Sequence, residues 1–471
     1  MKKIVALLIF FTCCYVSGMT FATEQDLTLS RLKLDLYRIR DEFNIPAMAV
    51  IIVDQNNILM ADVNGLADRA SNRPATPQTV FRIGSITKMF TSLAILLLQE
   101  EGLLNLEMNV HELTPSIPVK NKWRDTHPIK VSHLLEHTAG LRGLSKVEFD
   151  HNTSMTLERA LQWKADDRYT YWPPGLHHSY TNVGPGLAQY IIEKVSKQSF
   201  ESFIDKRIFS PLKMSSTSLD NDEITQSQLA TGYDTDGYSV IPYWHMLYRG
   251  FGAINLRPTD MVPFLQLLMN KGKHKNQRFL TEASIERMET PSTSLAALSG
   301  LQFGYGLGNY TWLRNGLLFH GHGGDADGYL SRLAYNRDNN LGYFIAINTF
   351  NNNALLKIRH KIEDFIGKNH EVFEPPLYPL SEEKLRLFTG VYKAVTERFS
   401  DSKLHKNEVI VSTKDGNLLL YSNNSIKTLY PVNTRHFRYQ GESGATSAFV
   451  MDAQEQIYLQ NSDGNFKKIS K

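Results

Sequence analysis

The chain has 471 residues, more than one ordinary domain needs and enough for two or three. Hydrophobic residues make up 42% and charged residues 21%, which excludes general disorder. A formal net charge of +3 is small for this length and gives no reason to expect a nucleic-acid or membrane-surface partner.

Residues 1–22, MKKIVALLIFFTCCYVSGMTFA, have the three-part form of a secretory signal: Lys2 and Lys3, the apolar run Ile4 to Val16, then the small-residue site Thr20-Phe21-Ala22. The apolar run is shorter than the ~20 residues that cross a bilayer. Cleavage and export to a periplasm or the medium are therefore expected rather than a membrane anchor. Both cysteines, Cys13 and Cys14, lie in this segment, so the processed chain has no thiol nucleophile and no disulfide. Phe10-Phe11-Thr12 before them does not resemble a lipoprotein signal.

Strands are expected at Ala47 to Val53 and Ile58 to Val63, separated by Asp54-Gln55-Asn56-Asn57. A helix is expected from Ser85 to Glu101, ended by Gly102. It is apolar nearly all round, which means burial on most sides. Further helices are expected at 156–165, 184–196, 198–207 and 259–271. Late strands follow at Tyr305 to Trp312, Leu317 to His322, Ser331 to Asn336 and Gly342 to Asn348. Early strands, a helical middle and late strands point to one sheet built from both ends of a domain over 23–372. Pro375, Pro376 and Pro379 mark a linker over 373–380. Residues 381–471 are short strand-like runs punctuated by Asp415-Gly416, Asn423-Asn424, Gly441 to Gly444 and Asp463-Gly464, fitting a small antiparallel barrel or sandwich with no catalytic constellation of its own.

Four stretches carry residues suited to chemistry. His133-x-x-Glu136-His137 has the spacing of one class of zinc peptidase, with Ser132 as a helix cap and Gly140 as its end; no third ligand stands out downstream. His320 and His322, two apart on a strand, form a second possible metal pair. Ser85-Ile86-Thr87-Lys88 opens the buried helix with a serine and, one turn later, a lysine on the same side. Serine needs a base to become nucleophilic, a desolvated lysine can help supply it, and a helix N-terminus offers N–H groups to developing negative charge. Tyr180-Thr181-Asn182 stands just before a helix, where a phenol can act as base and an amide can bind substrate. His322-Gly323-Gly324 lies on a strand almost bare of side chains, against which an extended substrate can lie. Each signal alone is weak, and taken singly an N-cap with a surface lysine, a packed tyrosine or a structural histidine is the better account.

Together and in this order, the three hydrolytic motifs resemble those of the serine β-lactamase and D,D-peptidase family, in the branch that holds class C β-lactamases, D,D-carboxypeptidases, D-aminopeptidases and related esterases. FRIGSITKMFTSLAILL, IKVSHLLEHTAGL, WPPGLHHSYTNVGPGLAQYIIEKVSKQSFESFI and IFSPLKMSSTSL extend the likeness over roughly residues 30–365. The resemblance implies an α/β (α+β) fold, an antiparallel sheet with a helical subdomain, here joined to the C-terminal β module. It implies an acylated nucleophile at Ser85, Lys88 as its partner, and Tyr180 exchanging protons with Ser85 and the leaving group. Asn182, His322 and Gly324 would contact substrate, and the backbone N–H groups of Ser85 and Asp325 would form the oxyanion hole. No metal or organic cofactor is implied, and HLLEHTAGL becomes structural support. The expected partner is a small molecule, a peptide or a peptidoglycan-derived substrate.

His322-Gly323-Gly324 departs from the Lys-Thr-Gly of efficient class C β-lactamases. That difference and the added C-terminal module favour a peptidase or esterase over an antibiotic-degrading enzyme. A non-catalytic peptidoglycan- or peptide-binding protein stays as the alternative of another class, although binding alone does not require Ser85, Lys88 and Tyr180 together.

Overall fold

The computed structural model describes residues 24–149, 151, 153, 155–219, 223–396, 408–422 and 425–470. The expected signal segment 1–22, with Cys13 and Cys14, and the expected turn Asn423-Asn424 lie outside the described residues. Among the described residues, an early and a late part of the chain build one seven-stranded antiparallel sheet. Its strands are β1 (Ala47–Val53), β2 (Ile58–Asp68), β3 (Arg73–Pro74), β4 (Tyr310–Arg314), β5 (Leu317–Ala326), β6 (Tyr329–Asn336) and β7 (Leu341–Ile347). Their spatial order is β4-β5-β6-β7-β1-β2-β3, with Met48 of β1 opposite Ile347 of β7. The expected strand from Tyr305 starts later, at Tyr310. The intervening Gly308 must pass close to α-helical backbone, and a Cβ on it would lie 2.7 Å from the Lys88 carbonyl oxygen.

The helices that matter below are α1 (Glu24–Glu42), α2 (Thr87–Glu100), α3 (Val131–Leu135), α4 (Val183–Ser196), α5 (Met261–Met269) and α6 (Asn352–Ile366). Every residue of β1 is buried because both sheet faces are covered. On one face α1 contributes Leu32, Leu36 and Ile39, and α6 contributes Ile358, Ile362 and Ile366. These spacings of three and four place each set on one helical stripe. On the other face lies the larger core around α2, where Thr87 through Leu98 are all buried and Phe90 stacks on Phe264 of α5 at 4.0 Å. The expected helix from Ser85 opens instead as a 3-10 turn, Gly84–Ile86, before α2 proper.

Eight further strands, from β8 (Gly390–Ala394) to β14 (Ile457–Asn461) and β15 (Gly464–Ser470), close into a barrel. Closure comes from β8 pairing with β15, with Tyr392 opposite Lys468. It removes the exposed edges that an open sandwich would keep. The interior holds Leu418, Leu420, Leu429, Phe437, Phe449 and Leu459. A satellite apolar cluster of Ala296 and Leu301 with Ala448, Val450 and Tyr458 seats the barrel against the sheet-bearing part of the chain. Among the described residues no helix is long and apolar enough to cross a membrane.

Candidate active site

Ser85 lies in the tight turn that leads into α2, and that turn depends on its glycine. Gly84 has φ +49°, and a Cβ there would lie 2.6 Å from the Asp325 carbonyl oxygen and 2.8 Å from the Asp325 nitrogen. Any other residue would push the Ser85 backbone away from β5. Gly324 does the same from the opposite side, since a Cβ on it would overlap the Ile83 carbonyl oxygen at 1.8 Å. Ser331 of β6 fastens the contact, donating its hydroxyl to the same Ile83 oxygen at 2.9 Å. Two motifs more than 200 residues apart in sequence thus meet backbone to backbone, with the Ser85 and Asp325 amides as neighbours.

Lys88 is 2% exposed, and its Nζ donates to Ser85 Oγ and to the Phe251 carbonyl oxygen, each at 2.9 Å. A buried ammonium needs such acceptors. Phe251, in a 3-10 turn (Arg249–Phe251), was not legible as a site residue because its contribution is a backbone carbonyl. The same Nζ sits 4.8 Å from the ring centre of Tyr180, which brings the second motif to the first.

Tyr180 belongs to an irregular segment ahead of α4, held in place largely by His137. The His137 carbonyl accepts the Ser179 N–H at 2.8 Å, its Nδ1 accepts the Thr181 N–H at 3.3 Å, and its ring packs 4.3 Å from that of Tyr180. Asn182 is the N-cap residue of α4. Its side-chain Oδ1 is buried and has no hydrogen-bond partner among the described residues, although it borders the cavity.

His322 is buried on β5, and both ring nitrogens have protein partners. Nδ1 donates to the Gly323 carbonyl, and Nε2 meets the Tyr305 hydroxyl at 2.9 Å. Burial pushes the Tyr305 phenol well above its usual range, with Tyr180 and Tyr310 adding to the effect, so Tyr305 keeps its proton. His322 is thus held by a partner on each ring nitrogen, and its expected role as a direct donor to substrate requires it to exchange one of these partners. Tyr305 and Tyr310 complete an aromatic wall with His322 and Tyr180, the Tyr310 and Tyr180 rings lying nearly parallel.

The His133-x-x-Glu136-His137 stretch has other work. The expected cap at Ser132 is absent: Lys130 is the N-cap position, and the Ser132 hydroxyl, inside the first turn, has no partner among the described residues. α3 ends at Leu135 rather than running to Gly140, and His137 turns away with φ +56°, so the two histidines do not share a helical face. His133 Nδ1 accepts the Lys130 N–H at 3.2 Å, and burial, with Lys130 nearby, holds its pKa down at about 4. The buried Glu136 accepts from Arg287 at 2.6 Å, from the Ser292 N–H and the Thr293 N–H at 2.9 Å, and from both hydroxyls. Among the described residues no three His, Cys, Asp or Glu side chains converge as a metal site, and His320 faces the Tyr335 ring.

Ser85, Tyr180, Asn182, His322 and Asp325 all line one cavity of about 1040 Å³. The barrel lines it too, through Gln460 and Asn461 of β14 and Asn465 of β15. Gln460 Oε1 accepts the Ala296 N–H at 2.7 Å, and its Nε2 donates to the Leu176 carbonyl and to His177 Nδ1, both at 2.9 Å. Asn465 donates to the His178 carbonyl at 2.6 Å. These bonds tie the barrel to the residues just ahead of Tyr180. Nothing in the C-terminal sequence distinguishes Gln460 and Asn465 from ordinary strand polar residues.

A helix-flanked antiparallel sheet with a serine–lysine pair at the mouth of α2 defines the fold of serine β-lactamases and penicillin-binding proteins. The chain belongs to the beta-lactamase family, a family of serine hydrolases, whose match covers residues 37–365. It is 29% identical over 273 residues to a beta-lactamase of Yersinia enterocolitica, a match that takes in 57% of this chain and 67% of that protein. It is 28% identical over 261 residues to a penicillin-binding protein of Bacillus subtilis (strain 168), covering 51% of this chain and 55% of the relative. The octameric penicillin-binding protein homologue from Pyrococcus abyssi superposes with a TM-score of 0.62 at 22% identity, covering 93% of this chain and all of that one, a likeness of fold.

Proposed function

We propose that this protein is an exported serine hydrolase that cleaves peptide, amide or ester bonds through an acyl-enzyme on Ser85, in the manner of a D,D-carboxypeptidase, D-aminopeptidase or esterase. The observation that carries this reading is the 2.9 Å contact between Lys88 Nζ and Ser85 Oγ, inside a cavity shared with Tyr180 and the unsatisfied Asn182 Oδ1. A cation beside a phenol stabilises its phenolate. In this reading Tyr180 takes the Ser85 proton, Ser85 Oγ bonds to the acyl carbon, and the oxyanion rests on the Ser85 and Asp325 N–H groups. The bond to the leaving nitrogen or oxygen then breaks as Tyr180 returns the proton to that atom. Water, activated by the same groups, releases the acid. Asn182 holds the substrate's amide. Removing one oxyanion donor in such a site typically costs about 100- to 1,000-fold in rate.

His322, engaged at both ring nitrogens and standing at the place of the Lys in Lys-Thr-Gly, supports a peptidase or esterase over a β-lactamase. The relative named beta-lactamase keeps β-lactam hydrolysis as the second reading. Export rests on the signal-like residues 1–22. Covalent labelling of the wild type by a fluorophosphonate, lost in Ser85→Ala, is the expected result. A parallel screen of D-amino-acid peptides, short esters and nitrocefin separates the two readings by relative kcat/KM. Ligand binding without labelling or turnover would leave a non-catalytic binding protein instead.

A further inference from the structure

We propose that the cavity beside Arg82 is a second ligand site, distinct from the Ser85 cleft, and that it takes a small oxyanion such as phosphate, sulfate or a carboxylate. The site goes beyond the hydrolase reading and needs no chemistry at Ser85. Arg82 lies on the short strand Phe81–Arg82, just ahead of the Ser85 turn, and pairs there with Asn255. Its side chain is 1% exposed and borders a cavity of about 290 Å³, near the lower end of the ~300–1,000 Å³ of small-molecule sites. The chain from Tyr243 to Met246 is the wall between this cavity and the Ser85 cleft. Tyr243 and His245 line the Arg82 side, Trp244 lines the Ser85 side, and Met246 lines both.

The guanidinium has no counter-ion. Among the described residues Arg82 makes no hydrogen bond and no ion pair, and its Nε and Nη1 are buried without an acceptor. The Tyr243 and Trp244 rings lie 4.2 and 5.3 Å from it, which attracts the cation but satisfies none of its N–H groups. Burial acts against the charged form, while Tyr243, Tyr329 and Asp327 favour it only through space. The two glutamates that line the cavity are already committed. Glu201 pairs with Arg249 at 2.8 Å; Glu193 accepts the Phe200 N–H at 3.3 Å, and burial raises its pKa. His151 borders the same cavity and has a buried Nε2 without a partner. Arginine keeps its charge even when buried, and a desolvated cation without a partner is costly. Water in the cavity can accept hydrogen bonds but brings no charge. An oxyanion does both, and a hydrogen bond between two ions is the stronger kind.

The test titrates inorganic phosphate, sulfate and acetate into the full chain by calorimetry. We expect a saturable site for at least one of the three, unchanged in Ser85→Ala and weakened about 10- to 100-fold in Arg82→Met, the range that a hydrogen bond to a charged group supports. Binding of phosphate and sulfate without acetate marks a tetrahedral occupant, and acetate alone a planar one; either supports the site. Arg82→Met also reads the unpaired charge. Its thermal midpoint in anion-free buffer should equal or exceed that of wild type, and the tightest probe should raise the midpoint of wild type only. No saturable binding of any probe to wild type, or equally tight binding to Arg82→Met, overturns the site. If Arg82→Met does not fold, a crystal structure of wild type with the tightest probe decides: density for the probe against the Arg82 guanidinium keeps the site, and its absence there overturns it.

Discussion

Replacing Gln460 by alanine tests whether the barrel helps to set the catalytic geometry. Gln460 is 4% exposed, and its amide satisfies three groups across the junction: the Ala296 N–H, the Leu176 carbonyl and His177 Nδ1. Each buried group orphaned by the change costs about 1–3 kcal/mol, and partial relaxation puts the total near 3–5 kcal/mol. That is enough to loosen the barrel and, with it, the segment leading to Tyr180. A misplacement of about 1 Å at a reacting group can cost 100-fold in rate. Full-length Gln460→Ala should label with fluorophosphonate about 10- to 100-fold more slowly, with a thermal midpoint lower by roughly 5 °C or more. Asn465→Ala, which loses the 2.6 Å bond to the His178 carbonyl and the 3.2 Å bond to the Thr396 hydroxyl within the barrel part, should show a smaller effect in the same direction. An unchanged labelling rate with an unchanged midpoint would refute the coupling. A lowered midpoint with full activity would leave the barrel a stabiliser only.

Gly84→Ala should reduce kcat by at least about 100-fold, because φ +49° and the contact with Asp325 together force the oxyanion amides apart; steady-state kinetics on any active ester check it. Glu136→Ala should destabilise the fold by about 3–5 kcal/mol in urea unfolding, since it strands Arg287 and the Ser292 and Thr293 amides. Stability should also fall on acidification. Burial holds both His133 and His177 down at about 4 in the folded chain, against 6.5 for an unperturbed histidine. Below 6.5 the unfolded chain binds protons that the folded chain refuses. The stability these two contribute is thus complete above pH 6.5 and lost progressively down to pH 4, by about 3 kcal/mol each. Denaturant midpoints taken across that range measure it, and a His177→Asn variant should flatten the slope.

The local sequence determined those parts of the molecule that depend on neighbours along the chain. The burial of α2 follows from its all-round apolar pattern, and the β1–β2 hairpin from two apolar runs around a turn. The stripes of α1 and α6 were present as Leu32, Leu36 and Ile39, and as Ile358, Ile362 and Ile366, yet spacing of that kind does not announce which sheet face it covers. The three motifs with Ser85, Tyr180 and His322 were readable only together and in order, as a resemblance to a known family, since each alone fits an ordinary cap, packed tyrosine or structural histidine. Tertiary structure alone decided the rest. Ser132 and Gly140 matched helix-boundary patterns that α3 does not use, since His137 leaves the helix to prop Tyr180. Phe251 acts through a carbonyl, and Gln460 through bonds to groups more than 150 residues away. Such roles arise from what packs opposite a residue, and strand pairing and barrel docking are set by long-range burial that no short window of sequence contains.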